Sequence, residues 1–600
     1  MNELKTQTEK ALVKIAKSKK AVKDLPKTGD YLFFKIKKEI AKIVSELFNN
    51  KVIKTSDLNI SLPPYHIKAD LSLEIFSISK ILGLDPKKVS KELGLVINKN
   101  KTKFIESATT AGPYLNLKLK KNVYGEALAE VTVLEEKYGK NDKNKNKLAI
   151  IDFSSPNIAK PMSVGHLRST VLGQALANIY EATGYVVVRD NHIGDWGTQF
   201  GKLIYAYQTW GDEKAVAKNP IAELNKLYIK FNEEANKDPE LDDKAREIFS
   251  NLEKGDGKIR KLWEKFSKLS IKEFEEVYDI LGIKFDTYLG ESYFAKDAED
   301  EVKKALEKNL ARKDEESDAI VVDTLLGVPS FLLRKQDGST LYISRDLAKI
   351  KFRIANFKPD IILYVVGQEQ KLNFAQLFEL VKHIGYSNKT ELKHICFGLV
   401  IMDGAKMSTR KGSVVELKEL INQSVAMAKE LILEKDKDIS EKELAKTAEI
   451  IGVGSIIYND LRQSKEKNIS FDWKKMLNFS GGSAVYLQYT YARIKSILKK
   501  VPGEVSDKPI FKNEDEFNLA KKIIFFPHVV LEAQRHDSPH LIATYMEELA
   551  QLFNSFYNSV QILGTEDEEL KNSRLILIAS VATVIKNGLT LLNIKTSDKI

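Results

Sequence analysis

Two short stretches of this 600-residue chain carry side chains suited to handling a polyphosphate. The first reads Ser154-Ser155-Pro156-Asn157-Ile158-Ala159-Lys160-Pro161-Met162-Ser163-Val164-Gly165-His166. A glycine there lets a flat base approach the backbone, and a histidine can donate to phosphate oxygens as charge builds up. The second reads Gly404-Ala405-Lys406-Met407-Ser408-Thr409-Arg410-Lys411-Gly412, where three cations and two hydroxyls fall within six residues. Flanked by glycines, they make a clamp for phosphates. Taken singly, neither stretch proves much: a Gly-His pair is more often incidental than catalytic, and a basic loop is usually just solvated. Together, in this order and each at the end of a strand, they are far harder to obtain by chance.

The surrounding pattern supplies those strands. Residues 148–153 form a short apolar run, the signature of a buried parallel strand. After the first loop, Leu167, Val171, Leu176 and Ile179 recur at helical spacing, Gly184 marks a helix stop, and residues 185–188 form a second strand. The loop thus opens a helix, where backbone N–H groups and the helix dipole favour a phosphate. The arrangement repeats with a strand at 361–366, a helix through Phe374, Leu377, Phe378 and Val381, a stop at Gly385 and a strand at 394–402. Two such halves predict a Rossmann-like parallel sheet with ligands beyond the carboxyl ends of its strands. Residues 211–280 read as a charged helical insertion. From about 445 no strand pattern survives, and Leu541, Tyr545, Leu549, Leu552 and Phe556 form one helical stripe of an all-α bundle.

The expected fold is therefore multidomain α/β. An N-terminal α+β domain occupies 1–115, a linker 116–147, the catalytic core 148–440, and a helical bundle 445–600. Helical spacing in the first domain runs through Leu32, Ile36, Ile40 and Ile43, and the polar stretch 139–147 ends the linker. No apolar run approaches the ~20 residues needed to cross a bilayer, and 575–585 reads as a buried helix. The N-terminus lacks the apolar core of a signal peptide. A single cysteine, Cys396, excludes an internal disulfide and any cysteine-cluster zinc site, which fits a reducing cytoplasm. The net charge is +11, and residues 1–54 hold 14 lysines against 6 acidic residues. Such an excess is either a solvated helical face or a surface for phosphate backbone.

The paired loops resemble the two signatures of class I aminoacyl-tRNA synthetases, and the residues around them resemble the arginyl family. The resemblance spans nearly the whole chain. It rests on Ser154–Pro161, on His166-Leu167-Arg168-Ser169-Thr170, on Asp190-Asn191-His192-Ile193-Gly194-Asp195-Trp196-Gly197-Thr198-Gln199 and on Met407-Ser408-Thr409-Arg410-Lys411-Gly412. Tyr342-Ile343-Ser344-Arg345-Asp346, Gln488-Tyr489, Ala492-Arg493 and Lys586-Asn587-Gly588-Leu589 extend it. Two positions depart from the class pattern. Residue 163, usually the first histidine of the signature, is serine. Residue 409, usually a second lysine, is threonine, and the resemblance implies that a lysine before the first signature, here Lys160, compensates.

The resemblance implies an arginine–tRNA ligase. It would use ATP with Mg2+ as substrate, bind L-arginine and tRNA(Arg), hold no protein-ligated metal, and work as a monomer away from any membrane. Arginine presents a planar cation with five donors, so a selective pocket needs carboxylates backed by a flat wall. Tyr342 and Asp346 stand four residues apart, on one face if helical, and Glu291 could supply a second carboxylate. By resemblance these three hold the guanidinium, while Asp152, Asn157 and Gln370 hold the α-amino and carboxylate end. ATP would fall to Lys160, Ser163, Gly165, His166, Lys406, Met407 and Ser408. Of these, His166, Lys160, Lys406 and Ser408 would be catalytic. Singly each has a plainer alternative: Asp346 beside Arg345 as a surface pair, Tyr342 as core, Asn157 as a turn residue. The rivals are a non-catalytic tRNA-binding descendant, favoured only by Ser163, and an enzyme of this fold loading another amino acid.

Overall fold

The computed structural model describes all residues except 1, 50–51, 65, 324–326, 388, 403–404, 407–414 and 502–508, and leaves aside the side chains of 2–4, 402, 405 and 406. The chain forms two compact units that interleave along the sequence. One comprises residues 1–21, 146–181 and 185–476; the other comprises 22–145, 182–184 and 477–600.

The first unit is built on a four-stranded, all-parallel sheet. Its order is Glu391–Phe397, Ile361–Gly367, Leu148–Asp152, Val186–Asp190. Every residue of Leu148–Asp152 and of Val186–Asp190 is buried, which is why these strands read as apolar runs rather than alternating ones. Helix Val164–Ala182 carries the chain from the inner strand to one edge, and Gly184, with φ +92°, reverses it. The other two strands lie on the opposite side of Leu148–Asp152. The strand order therefore reverses between Leu148–Asp152 and Ile361–Gly367, and the crevice beyond their carboxyl ends is where this class of sheet binds ligands.

Four helices, Glu213–Lys218, Pro220–Ala235, Glu240–Glu253 and Gly257–Leu281, fill the expected insertion. They close over a core of Leu203, Ile204, Leu224, Phe231 and Phe266. The strand expected at 394–402 divides: Glu391–Phe397 stays in the main sheet, while Val400–Met402 pairs antiparallel with Ala405–Lys406 and parallel with Ile469–Ser470. That last pairing shows a strand beyond 445, where none was expected. Two residues are too few to leave a periodicity. Helix Glu441–Leu461, which runs across the expected start of the bundle at 445, belongs to this unit. Its Gly452 lies against helix Leu417–Lys435, where an added Cβ would stand 2.7 Å from the Val425 backbone.

The second unit joins a four-stranded antiparallel sheet, ordered Asn59–Ser61, Leu71–Glu74, Tyr114–Leu119, Ile105–Ala111, to a helical bundle. The segment expected as a linker, 116–147, instead carries the end of a strand and helix Lys121–Leu134. Val123, Tyr124, Ala127, Leu128 and Val131 of that helix are buried at helical spacing. Tyr138 follows, fully buried, its hydroxyl donating to the Ile523 carbonyl at 2.9 Å. In the bundle helix His540–Ser559, Tyr545, Leu549 and Phe556 of the expected stripe are buried; Leu541 and Leu552 lie half-buried at its edge, and Phe553 completes it. Helix Glu568–Leu591 is the one described helix long and apolar enough to cross a bilayer, and 78% of its apolar window is buried in the fold.

Candidate active site

The first signature loop leaves Leu148–Asp152 in a backbone that side chains resist: Ser154, Ser155 and Ala159 have φ of +75°, +49° and +62°. Such conformations cost about 1–3 kcal/mol each and persist where the surroundings over-determine them. Here they do. The Ser154 amide donates to Ser169 Oγ, that of Ser155 to Asn191 Oδ1, that of Ala159 to Ser270 Oγ, and that of Ile158 to the Gly194 carbonyl, all within 3.2 Å. Ser270 lies on the insertion helix Gly257–Leu281, as does Tyr278, whose hydroxyl meets Ser154 Oγ at 2.7 Å and accepts from Asn191 at 3.0 Å. The insertion is thus a brace for the loop.

At the loop's end the Ser163 amide donates to His166 Nδ1 at 3.1 Å. A backbone N–H can only donate, so Nδ1 is the acceptor and the ring proton sits on Nε2. Burial lowers the pKa of His166 below the ordinary histidine value, so the ring is a neutral Nε2–H donor. Ser163, where the class pattern has histidine, places its Oγ 3.0 Å from the same nitrogen. Gly165 beside it is exposed. Lys160 is half-buried, its Nζ resting 4.8 Å from the Tyr228 ring of the insertion. Met407 and Ser408 lie outside the described residues, and of Lys406 only the backbone is described. The chain just after the second signature is tied to the first: Val164 donates to the Val415 carbonyl and Leu417 to the Met162 carbonyl.

Helix Tyr342–Phe357 supplies the other wall. Tyr342, Asp346, Lys349 and Arg353 follow one another at spacings of four, three and four, so they share a face. Tyr342 and Asp346 line a cavity of about 330 Å³ together with Gln370, Phe374 and Leu377. Beneath them Lys349 bridges Asp346 (2.8 Å) and Asp152 (3.2 Å), and Arg353 bridges Asp152 (2.8 Å) and Asp190 (2.6 Å). Burial alone would raise the Asp152 pKa, but Lys349 and Arg353 outweigh it and hold the carboxyl well below the usual range. His192 approaches Asp346 at 4.0 Å with Nδ1 bonded to the Leu289 carbonyl; burial and Lys349 push its pKa down to about 4, so it is neutral. Three carboxyl groups thus meet two cations here, and while Asp152 is held as a carboxylate, burial raises the pKa of Asp190 against the pull of Arg353.

The structure therefore brings Tyr342, Asp346 and Gln370 to one cavity and links Asp152 to it through Lys349. Glu291 and Asn157 do not line that cavity. Glu291 is buried against Arg345 (3.2 Å), whose guanidinium also lies 4.8 Å from the Tyr342 ring. Asn157 is exposed and packs its Oδ1 over Gly194. Asp346 pairs with Lys349 rather than with its neighbour Arg345. Lys349, Arg353 and His192 were not among the expected site residues. The first two were readable as the continuation of the Tyr342–Asp346 face.

Three family descriptions match this chain: "tRNA synthetases class I (R), catalytic domain" over residues 127–473, "DALR anticodon binding domain" over 487–600, and "Arginyl tRNA synthetase N terminal domain" over 35–119. The chain is 38% identical over 567 residues to an arginine–tRNA ligase of Halothermothrix orenii, a match spanning 94% of this chain and 99% of that one. It is 39% identical over 564 residues to that of Clostridium acetobutylicum, spanning 93% and 98%. Among solved structures, the arginyl-tRNA synthetase of Plasmodium falciparum superposes with a TM-score of 0.78 at 25% identity, covering 94% of this chain and 98% of that one. That of Thermus thermophilus, at 22% identity and 94% and 99% coverage, shares the fold with a TM-score of 0.77.

Proposed function

The chain belongs to the arginyl-tRNA synthetases, a class I family, and is an arginine–tRNA ligase that consumes ATP; on that premise we propose how its own side chains divide the work. Arginine occupies the cavity beside helix Tyr342–Phe357. Its guanidinium lies against Tyr342 and donates to Asp346, with Glu291 as the second carboxylate behind Arg345. Its α-amino and carboxylate end falls to Asp152, Asn157 and Gln370. The observation that carries this reading is the shared face of Tyr342 and Asp346 in one cavity with Gln370, above a cluster in which three carboxyl groups meet two cations. A cationic amino acid is the substrate such a cavity favours over an apolar one.

ATP, as its Mg2+ complex, lies along the first loop at Ser163, Gly165 and His166, with Lys406, Met407 and Ser408 completing the clamp. An oxygen of the arginine carboxylate attacks the α-phosphorus, the bond to the bridging oxygen breaks, and pyrophosphate leaves. His166 Nε2–H donates to the α-phosphate as charge develops there. Lys160 and Lys406 neutralise the β and γ phosphates, and Ser408 donates its hydroxyl. A ribose hydroxyl of the tRNA's terminal adenosine then attacks the activated carbonyl carbon, and AMP leaves. No covalent bond to the enzyme is needed, so positioning and electrostatics carry the rate. The bundle contacts the anticodon end of tRNA(Arg), a reading supported by the match over 487–600. One chain already holds catalytic and RNA-binding parts, which favours a monomer, and the single Cys396 suits the cytoplasm.

Pyrophosphate exchange measured with each amino acid, with and without tRNA, tests this division. Exchange should depend on arginine, and Lys160→Ala and His166→Ala should slow it while leaving tRNA binding intact. Exchange driven equally by lysine or by an apolar amino acid would overturn the pocket assignment.

A further inference from the structure

The second unit holds a larger cavity, about 930 Å³, at the upper end of the range for small-ligand sites. Nothing in the aminoacylation chemistry uses it. Its lining carries four full cations, Lys37, Lys54, Lys143 and Arg535, against two carboxylates, Asp57 and Glu532. Both carboxylates are engaged locally. Asp57 accepts from the Lys54 amide at 2.8 Å, and Glu532 stands within 4.0 Å of His528, Arg535 and His536.

Lys37 is the unusual member. It sits on the buried face of helix Leu32–Leu47, among Phe33, Ile36, Ile40 and Val44, with only 6% of its surface exposed. Its ammonium makes no hydrogen bond and no ion pair among the described residues. Its one contact of note is the Phe33 ring, 5.9 Å away, which itself stacks on His528. Burying an ammonium without an anion is costly, and here burial, with Arg535 and Lys143 adding to it against the pull of Glu532, brings the pKa down to about 8. A methionine at this position would fill the space without that penalty. The fold instead keeps an unpaired cation at the floor of an open cavity, with the exposed Lys54 and Lys143 around it.

We propose that this cavity is a phosphate-binding site, in which Lys37 at the floor and Lys54, Lys143 and Arg535 at the rim receive one phosphate group. Phosphate offers several acceptor oxygens and up to two charges, so it can meet the floor and the rim cations together. The phosphate is either a free anion or one carried by RNA.

The full chain should be treated with pyridoxal 5′-phosphate, reduced with borohydride and mapped by peptide mass. The reagent joins a phosphate to an aldehyde that captures an unprotonated amine. The preference for Lys37 over the exposed Lys35 and Lys38 of the same helix should be several-fold larger with this reagent than with pyridoxal lacking the phosphate, whose remaining preference reports only the lowered pKa of Lys37. Protection by inorganic phosphate, but not by chloride at equal ionic strength, identifies a free-anion site. Protection by tRNA alone identifies an RNA-borne phosphate. In either case the double variant Lys54→Met, Lys143→Met should abolish protection without moving the thermal midpoint. Labelling of Lys37 at the rate of Lys35 and Lys38, labelling that neither anion suppresses, or protection that survives the rim variant would each overturn the proposal.

Discussion

Asp346 and Glu291, the two carboxyls proposed for the guanidinium, sit in unlike surroundings, Asp346 in the cavity lining and Glu291 outside it against Arg345, and the difference makes them separable. Asp346 is partly exposed in the cavity and salt-bridged to Lys349, so it offers its carboxylate there as a partner for a cation. Asp346→Asn keeps the shape and removes that charge. Losing a buried charge-assisted bond costs about 2–5 kcal/mol, so kcat/KM for arginine should fall by at least roughly thirtyfold. A parent-like value in steady-state kinetics would remove Asp346 from the pocket. Glu291 is different: burial raises its pKa to about 7 despite the opposing pull of Arg345. Below that value it is neutral and above it charged, so a guanidinium gains a partner as pH rises from about 6 to about 8. KM for arginine should drop across that window by about threefold to tenfold, on the order of 1 kcal/mol. Glu291→Gln should flatten the dependence, and a variant with the parent's pH profile would exclude the residue. At this scale sequence reading reached Tyr342 and Asp346 through their spacing and their resemblance, because both devices act locally. It missed Lys349 and Arg353, whose meaning depends on Asp152 and Asp190, roughly two hundred and one hundred and sixty positions away.

Strands and helices of the catalytic core were legible because each buries a complete face, and the crevice followed from the strand order. The role of the insertion was not. Its charged surface reads as an addition to the fold, yet Ser270 and Tyr278 bind the first loop directly, and Trp263 donates to the Asp195 carbonyl at 2.8 Å. Those are single polar contacts from a long helix, with no periodic trace. The insertion in turn is seated by one close approach. Helix Thr198–Trp210 meets helix Glu240–Glu253 at Gly201, where an added Cβ would land on the Ala245 carbonyl oxygen, with the Ala245 carbonyl carbon at 2.8 Å. Neither atom can yield without moving a backbone. Gly201→Ala should therefore destabilise the protein by about 1–3 kcal/mol, the usual cost of overpacking. Gly257→Ala, at a helix start with open space around it, should be neutral or stabilising by about 0.4–1 kcal/mol. Chemical denaturation of the two variants decides; equal midpoints would show that the helices separate freely.

Across the whole molecule the basic N-terminal segment changes meaning once the chain is folded. Read as a sequence, residues 1–54 are one cationic stretch. In the structure they divide between the two units. Residues 1–21 carry six lysines and two acidic residues, and 22–54 carry eight and four, so the two pieces hold the same excess. Helix Asn2–Ala21 is bound into the catalytic unit, where Lys14 pairs with Asp286 at 2.5 Å and Gln7 accepts from the Tyr288 amide at 2.7 Å. Truncating the N-terminus would therefore remove structural contacts along with charge, and loss of activity would not report on RNA. Charge has to be removed in place. Lys23, Lys27, Lys35 and Lys38 are exposed in the second unit, and Lys10, Lys17, Lys19 and Lys20 are exposed on the first helix. Each lysine that neutralises a phosphate releases counterion, and lowers the slope of log affinity against log salt by about 0.7–0.9. If tRNA rides on the second unit, replacing the first set by glutamine should flatten that slope by roughly two or more and weaken binding at low salt. Replacing the second set should leave the slope nearly unchanged. Arginine and ATP affinities should stay at parent values in both, since none of the eight lysines lines the cavity proposed for arginine or lies in either signature loop. Equal slopes for the parent and the first variant would leave those lysines as a solvated face, and a flatter slope in the second variant alone would move the RNA surface to the catalytic unit.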